Sequence, residues 1–163
     1  MVTLNKITTD SEVVNLASLA TTIWHEFFVS ILSDDQITYM VDKFLSYNAI
    51  KKQQLEGYEY YYIMLGTDIL GFTGFHIEDE KMFLSKLYLL KQYRGHGYAS
   101  QAFDYLKQIC QRQTLKSMWL TVNKYNKHAI EVYQKTGFTI IRSQVTDIGN
   151  NYVMDDYVME HMF

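Results

Sequence analysis

Residues 58–112 constrain the fold more than any other part of the chain. Three segments rich in aromatic and branched residues, YEYYYIMLG (58–66), DILGFTGFHIE (68–78) and KMFLSKLYLL (81–90), are separated only by the short turns GTD and EDE. That pattern predicts three strands in an antiparallel meander. The third strand runs straight into RGHGYA (94–99), a loop with two glycines one residue apart. Beyond it, Ala99, Ala102, Phe103, Leu106, Ile109 and Cys110 recur on one helical stripe. The chain contains no proline, so its turns must rest on Gly, Asn and Asp.

The flanking segments extend this frame. Residues 11–24 place Val13, Val14, Leu16, Ala17, Ala20 and Ile23 near one helical face, after Asp10 or Ser11 as cap. Ser33 opens a second helix with Gln36 three residues on, the spacing of a capping box. HEFFVSIL (25–32) connects the two. Downstream, SMWLTV (117–122) reads as a strand. The segment from Asn126 to Gly137 reads as a helix, and FTIIRSQV and NYVMDDYVMEHMF read as closing strands that turn at DIGNN. The predicted order is ααβββαβαββ, a mixed α/β fold with one sheet, in a single domain over 1–163.

Composition excludes several functions. Hydrophobic residues make up 48% of the chain and charged residues 20%, enough for a sizeable core and too apolar for disorder. The net charge of -3 argues against nucleic acid as a partner. No window approaches the roughly 20 apolar residues of a membrane span, and the first ten residues lack the apolar core of a signal peptide. A soluble, cytoplasmic protein is expected. Cys110, the lone cysteine, falls on the apolar face of its helix and is expected to be a core thiol.

A strand that ends in glycines and feeds a helix suits an anionic group. The first backbone N–H groups of a helix have no intrahelical partner, the helix dipole favours negative charge there, and glycine lets the backbone come close. Arg94 adds a positive charge beside the loop. A plain strand-to-helix turn is the alternative. Among phosphate ligands, a Walker loop would need Gly-Lys-Ser/Thr, which is absent. A dinucleotide fingerprint would need Gly or Ala where Ser100 stands, and an acidic residue about 20 positions on. None occurs between Asp104 and Glu131.

RGHGYA resembles the Arg/Gln-x-x-Gly-x-Gly/Ala signature of the GNAT family of acetyl-CoA-dependent N-acetyltransferases. NKYNKHAIEVYQKTGF is similar to the family's Asn-x-x-Ala-x-x-x-Tyr-x-x-x-Gly-Phe segment, carried by Asn126, Ala129, Tyr133, Gly137 and Phe138. Both motifs stand in the family's order, and the resemblance covers essentially the whole chain. WHEFF and YVMDDYVM resemble small bacterial enzymes of the polyamine-acetylating kind.

The resemblance implies a mostly antiparallel mixed sheet flanked by helices, with a splayed parallel strand pair holding acetyl-CoA. Gly95, His96, Gly97, Tyr98, Ala99 and Ser100 would cradle the pyrophosphate beside Arg94, with His96 pointing to solvent. Backbone atoms of Leu87, Tyr88 and Leu89 would pair with the pantetheine arm. Tyr133 would be the general acid for the leaving thiolate. Asn126, also readable as a plain helix cap, would touch the cofactor, and Asn123 is a weaker candidate. The oxyanion donor would be a backbone N–H near Leu89. Many members carry a glutamate on the strand before the loop, where this chain has Ser85 and Lys86. A water chain, or His25, Glu26, His76 or Asp155 reaching in, would be the substitutes as base. The acceptor site would draw on the first two helices, including Trp24, His25 and Glu26, and on the closing hairpin. Aromatics and carboxylates there suit a cationic, polyamine-like amine or a peptide amine. No metal is implied, and a homodimer through the closing strand is expected. The competing readings are a non-catalytic acyl-CoA-binding module of the same fold and, further off, an NAD-binding protein.

Overall fold

In the computed structural model, which describes all 163 residues, the meander forms the centre of one seven-stranded sheet. Its strands are β1 (Thr3–Lys6), β2 (Glu59–Leu65), β3 (Asp68–Glu78), β4 (Lys81–Leu89), β5 (Ser117–Asn123), β6 (Thr139–Gly149) and β7 (Tyr152–Met162). They lie in the order β1-β2-β3-β4-β5-β7-β6. Only β4 and β5 run parallel; every other pairing is antiparallel. The helices are α1 (Asp10–Phe28), α2 (Asp34–Leu45), α3 (Tyr47–Leu55), α4 (Tyr98–Arg112) and α5 (Lys127–Lys135).

The sheet separates two cores. On one face, α1, α2 and α3 pack their apolar stripes onto Tyr60, Tyr62 and Phe72. On the other, α4 and α5 cover Ile63, Phe75, Met82, Met118 and Met159. Cys110 lies in that second core, where burial pushes its thiol up to about 11, so it remains an inert thiol. No helix is long and apolar enough to cross a membrane.

Four details differ from the sequence reading. Thr9, not Asp10 or Ser11, caps α1: its hydroxyl accepts from Glu12 N–H while the Glu12 carboxylate accepts from Thr9 N–H. Ser33 caps α2, but the Gln36 side chain does not return the bond and instead donates to Val153 O in β7. The four residues of β1 are an added edge strand paired to β2. A third helix, α3, is capped by Ser46 and buries only Ile50. Hairpin turns follow the absence of proline. Asn150 and Asn151 both take positive φ (53° and 63°), the two-residue turn whose twist matches the strands it joins.

Candidate functional site

β4 and β5 are hydrogen-bonded neighbours for only three residue pairs, Lys81 with Ser117, Met82 with Met118 and Phe83 with Trp119. The Phe83 and Trp119 rings stack at 4.2 Å at the last of these. Beyond it the strands diverge, so the edge of β4 from Leu84 to Leu89 faces no strand on the β5 side. Its other edge is paired to β3. Leu90 N–H donates to Leu70 O of β3, and alternation along the strand therefore turns the N–H groups of Leu87 and Leu89 toward the open side. Of the three residues expected to meet a pantetheine arm, Leu87 and Leu89 present their amides to the open side, whereas the backbone of Tyr88 is turned to β3, its carbonyl against Gly71.

The open edge leads to the glycine loop. Gly95 and Gly97 both take positive φ (79° and 82°), and a Cβ at either position would meet no atom within 4 Å. The glycines are there for a left-handed backbone and an uncovered surface rather than for tight packing. Gly97 is the N-cap of α4 and offers no side-chain acceptor, so Tyr98, Ala99 and Ser100 begin the helix with uncapped N–H groups. His96 is exposed and stacks on Tyr98 at 5.8 Å. Arg94 turns away from the loop: its Nε donates to Leu89 O at 3.0 Å and its guanidinium lies over Phe27 at 5.1 Å. It ties the end of β4 to α1.

A cavity of about 430 Å³ lies where the strands diverge, between α1–α3 and the β6–β7 hairpin. Tyr39 and Lys43 of α2 both donate to Ile148 O of β6, which holds the hairpin over it. Irregularity in β4 decides which side chains enter. Gly74 pairs with Lys86 and Phe75 with Leu84, leaving Ser85 as an extra residue, a β-bulge. Without it, alternation would send Ser85 and Lys86 to opposite faces. With it, Phe83, Ser85, Lys86 and Tyr88 all line the cavity. Gly74 also accepts the Tyr60 ring against its backbone; a Cβ there would meet that ring at 2.7 Å.

Tyr88 is held edge-on by Trp24 (5.6 Å) and Phe27 (5.1 Å). Burial, with Tyr133 and Asp156 nearby, pushes its phenol far above the ordinary range. Tyr133, on α5, lines the same cavity, with its ring fixed by Phe103 at 5.8 Å and Phe138 at 6.0 Å. Its hydroxyl donates to no protein atom, and burial pushes it up to about 12, so it keeps its proton at any ordinary pH. Asn126 caps α5 by accepting from Ala129 N–H at 3.2 Å while also lining the cavity, as does Asn123.

The buried carboxylate that lines this space is Asp156, which the sequence reading passed over for its neighbour; Glu56 lines it as well but is exposed. Asp156 is 3% exposed, and burial, followed by repulsion from Asp155, raises it to about 6. Asp155 instead pairs with Lys124 at 2.8 Å, outside the cavity. Strand alternation separates the two: Met154 and Tyr152 pack toward the α1–α3 core, Tyr157 and Met159 toward the α4–α5 core. The other proposed bases are also placed elsewhere. His25 binds Thr21 O and Thr38 Oγ1. Glu26 accepts from Lys91 N–H, and His76 stacks on Tyr58 at 4.8 Å. Of Trp24, His25 and Glu26, only Trp24 lines the cavity.

The arrangement has known counterparts. The profile of the acetyltransferase (GNAT) family matches residues 18–138. The uncharacterized N-acetyltransferase YycN of Bacillus subtilis (strain 168) is 34% identical over 85 residues, 50% of this chain and 51% of that protein. The chain spans about half the length of the curated relatives it matches. Two solved structures share the fold over nearly the whole chain. The PaiA N-acetyltransferase from Thermoplasma acidophilum, in complex with coenzyme A, superposes with a TM-score of 0.81 at 18% identity, over 100% of this chain and 99% of that one. The ribosomal-protein-S18-alanine N-acetyltransferase from Escherichia coli gives 0.74 at 14% identity, over 99% and 94%. At these identities the likeness is one of fold.

Proposed function

The chain belongs to the GNAT acetyltransferase family, and from that premise we propose that it transfers an acetyl group from acetyl-CoA to the primary amine of a small molecule or peptide. One observation carries the reading. The diverging strands β4 and β5 join an uncapped, glycine-lined helix start to a cavity walled by a phenol and a buried carboxylate. The residues present suit coenzyme A: free amides on the open edge of β4 for an extended arm, and the first turn of α4 for a pyrophosphate. Acetyl-CoA supplies an activated acetyl thioester.

The chain's own groups divide the remaining work. Asp156, charged above about pH 6, receives the proton that the incoming ammonium must lose, directly or through water. The N–H of Leu89 stands on the open edge as donor to the thioester oxygen. Tyr133, whose proton no protein acceptor holds, gives it to the departing sulfur. Trp24, Phe27 and Phe28, with Asp156 and Glu56, form walls that support an acceptor whose reacting end arrives as a cation. A polyamine-like acceptor is one class that satisfies this. Asp156 also supports catalysis over a silent acyl-CoA-binding module, since the cavity does not lack a carboxylate.

Acetyl-CoA-dependent thiol release tests the proposal, with wild type beside Tyr133→Phe, over polyamines, amino acids, aminoglycosides and short peptides. Turnover of one class, reduced roughly 100- to 1,000-fold in the variant, is expected. Equal rates in both proteins would discard Tyr133. Tight acetyl-CoA binding without thiol release for any amine would favour the binding-module reading.

A further inference from the structure

Lys86 has no part in the transfer just described, yet the bulge of β4 brings it into the cavity. Its ammonium donates to one protein atom, the Ser85 hydroxyl at 2.7 Å. The cavity's two carboxylates, Glu56 and Asp156, make no ion pair with it. Burial alone, with no acidic neighbour contributing, lowers Lys86 to about 8, so it is charged at neutral pH. An ammonium has three donors, and one hydroxyl satisfies one of them. Lys86 is half-buried against the cavity, and a partly desolvated cation with no counter-ion is costly; such groups are ordinarily paired.

Strand geometry sets how far this cation stands from the reacting end. Lys86 and Tyr88 are two residues apart on β4 and both line the cavity, so about 7 Å of strand separates them. Tyr88, Tyr133 and Asp156 line the same cavity, and neither Tyr133 nor Asp156 makes a hydrogen bond or ion pair with Lys86. The cavity therefore has a proton-transferring end at Tyr133 and Asp156 and a cationic end at Lys86 and Ser85.

We infer that the acceptor carries an anionic group in addition to its amine, and that Lys86 with Ser85 holds that group. The inference rests on the acetyl-transfer reading and narrows it. A carboxylate or a phosphate would meet Lys86 through the same charge-assisted hydrogen bonds. A polyamine would instead bring a second positive charge to a fixed one. Lys86 then acts as a specificity-determining residue.

The test is thiol release on matched pairs: β-alanine, γ-aminobutyrate and ε-aminocaproate against their amides, and phosphoethanolamine against ethanolamine, with putrescine and spermidine as dications. Wild type is expected to favour the anion-bearing member of at least one pair by about 10- to 100-fold in kcat/KM, mostly through KM. Lys86→Gln removes that ratio while still acetylating the amides, and Lys86→Arg retains it. Whether the carboxylate or the phosphate pair shows the larger ratio identifies the anion. Equal rates within every pair, or a preference for the dications that Lys86→Gln leaves unchanged, overturns the inference and leaves acetyl transfer standing. Should no amine be turned over, calorimetry of the N-acetylated products with the CoA-bound protein reads the same discrimination. Tighter binding of the anionic products supports the inference; equal binding or none overturns it. Heat from CoA alone reports separately on the transfer reading.

Discussion

Asp156→Asn should make the protein more stable and less active. Asp156 is 3% exposed, no protein donor reaches its carboxylate, and burial raises it from 3.8 to about 6. The folded state thus holds a proton more tightly than the unfolded chain. Between pH 3.8 and about 6 the unfolded state has released a proton that the folded state keeps, so stability falls as pH rises through that window. Above about 6 the penalty is complete. The gap between the two values corresponds to roughly 3 kcal/mol, at 1.36 kcal/mol for each tenfold in proton affinity. The carboxylate borders a cavity wide enough to admit water, which reduces this to about 2 kcal/mol. Asparagine cannot ionise and is about as polar as the protonated acid, so the substitution isolates the charge. Urea unfolding across a pH series is the assay. At about pH 8 the variant should exceed wild type by about 2 kcal/mol, with the advantage fading toward about pH 4. Acetyl transfer should fall in the same variant, and the wild-type rate should climb as pH rises through about 6. An advantage independent of pH, or no advantage at about pH 8, would refute the argument from burial. Full activity in the variant would refute the proton-accepting role.

Other consequences are open to measurement. Gly97→Asp meets no atom but strains the left-handed backbone at φ 82° by about 1 kcal/mol, and it places a carboxylate at the start of α4; calorimetry should show acetyl-CoA binding weakened by about 1–3 kcal/mol, more than the accompanying loss of stability in urea unfolding. Lys86→Met removes a half-buried cation whose penalty is present below about pH 8 and disappears as pH rises toward 10.5, so unfolding at neutral pH should show a gain of about 2 kcal/mol, reduced by the solvent that reaches the cavity, that vanishes at high pH. Gly74→Ala forces a methyl into the Tyr60 ring, which bonds Gln53 of α3, and thermal unfolding should show a loss of about 1–3 kcal/mol.

How much of this was legible in the sequence depended on how local each cause is. The glycine loop, α4 and α5 announce themselves because their caps, glycines and apolar stripes lie within a few residues of one another. The four residues of β1 and the polar helix α3, with one buried isoleucine, carry too little pattern; pairing with β2 and packing against α1 and α2 make them. The site was legible in its outline but not in which side chains face it. Asp155 and Asp156 are adjacent acids on a strand whose two faces are both buried, so composition could not say which turns inward. The bulge at Ser85 depends on the register of β3, and it alone brings Lys86 to the cavity. Arg94 sits beside the glycines in sequence, yet its guanidinium finds Leu89 O and the face of Phe27 nearer.

The central claim is that the parted strands and the uncapped helix start form one acetyl-CoA site that opens into the cavity. Amide hydrogen exchange with and without coenzyme A tests it most directly. The structure predicts new protection at Leu87 and Leu89 and from Gly95 to Ser100, with the exposed outer strand β6 unchanged. Binding with protection confined to other segments would contradict the site, whatever activity the protein shows.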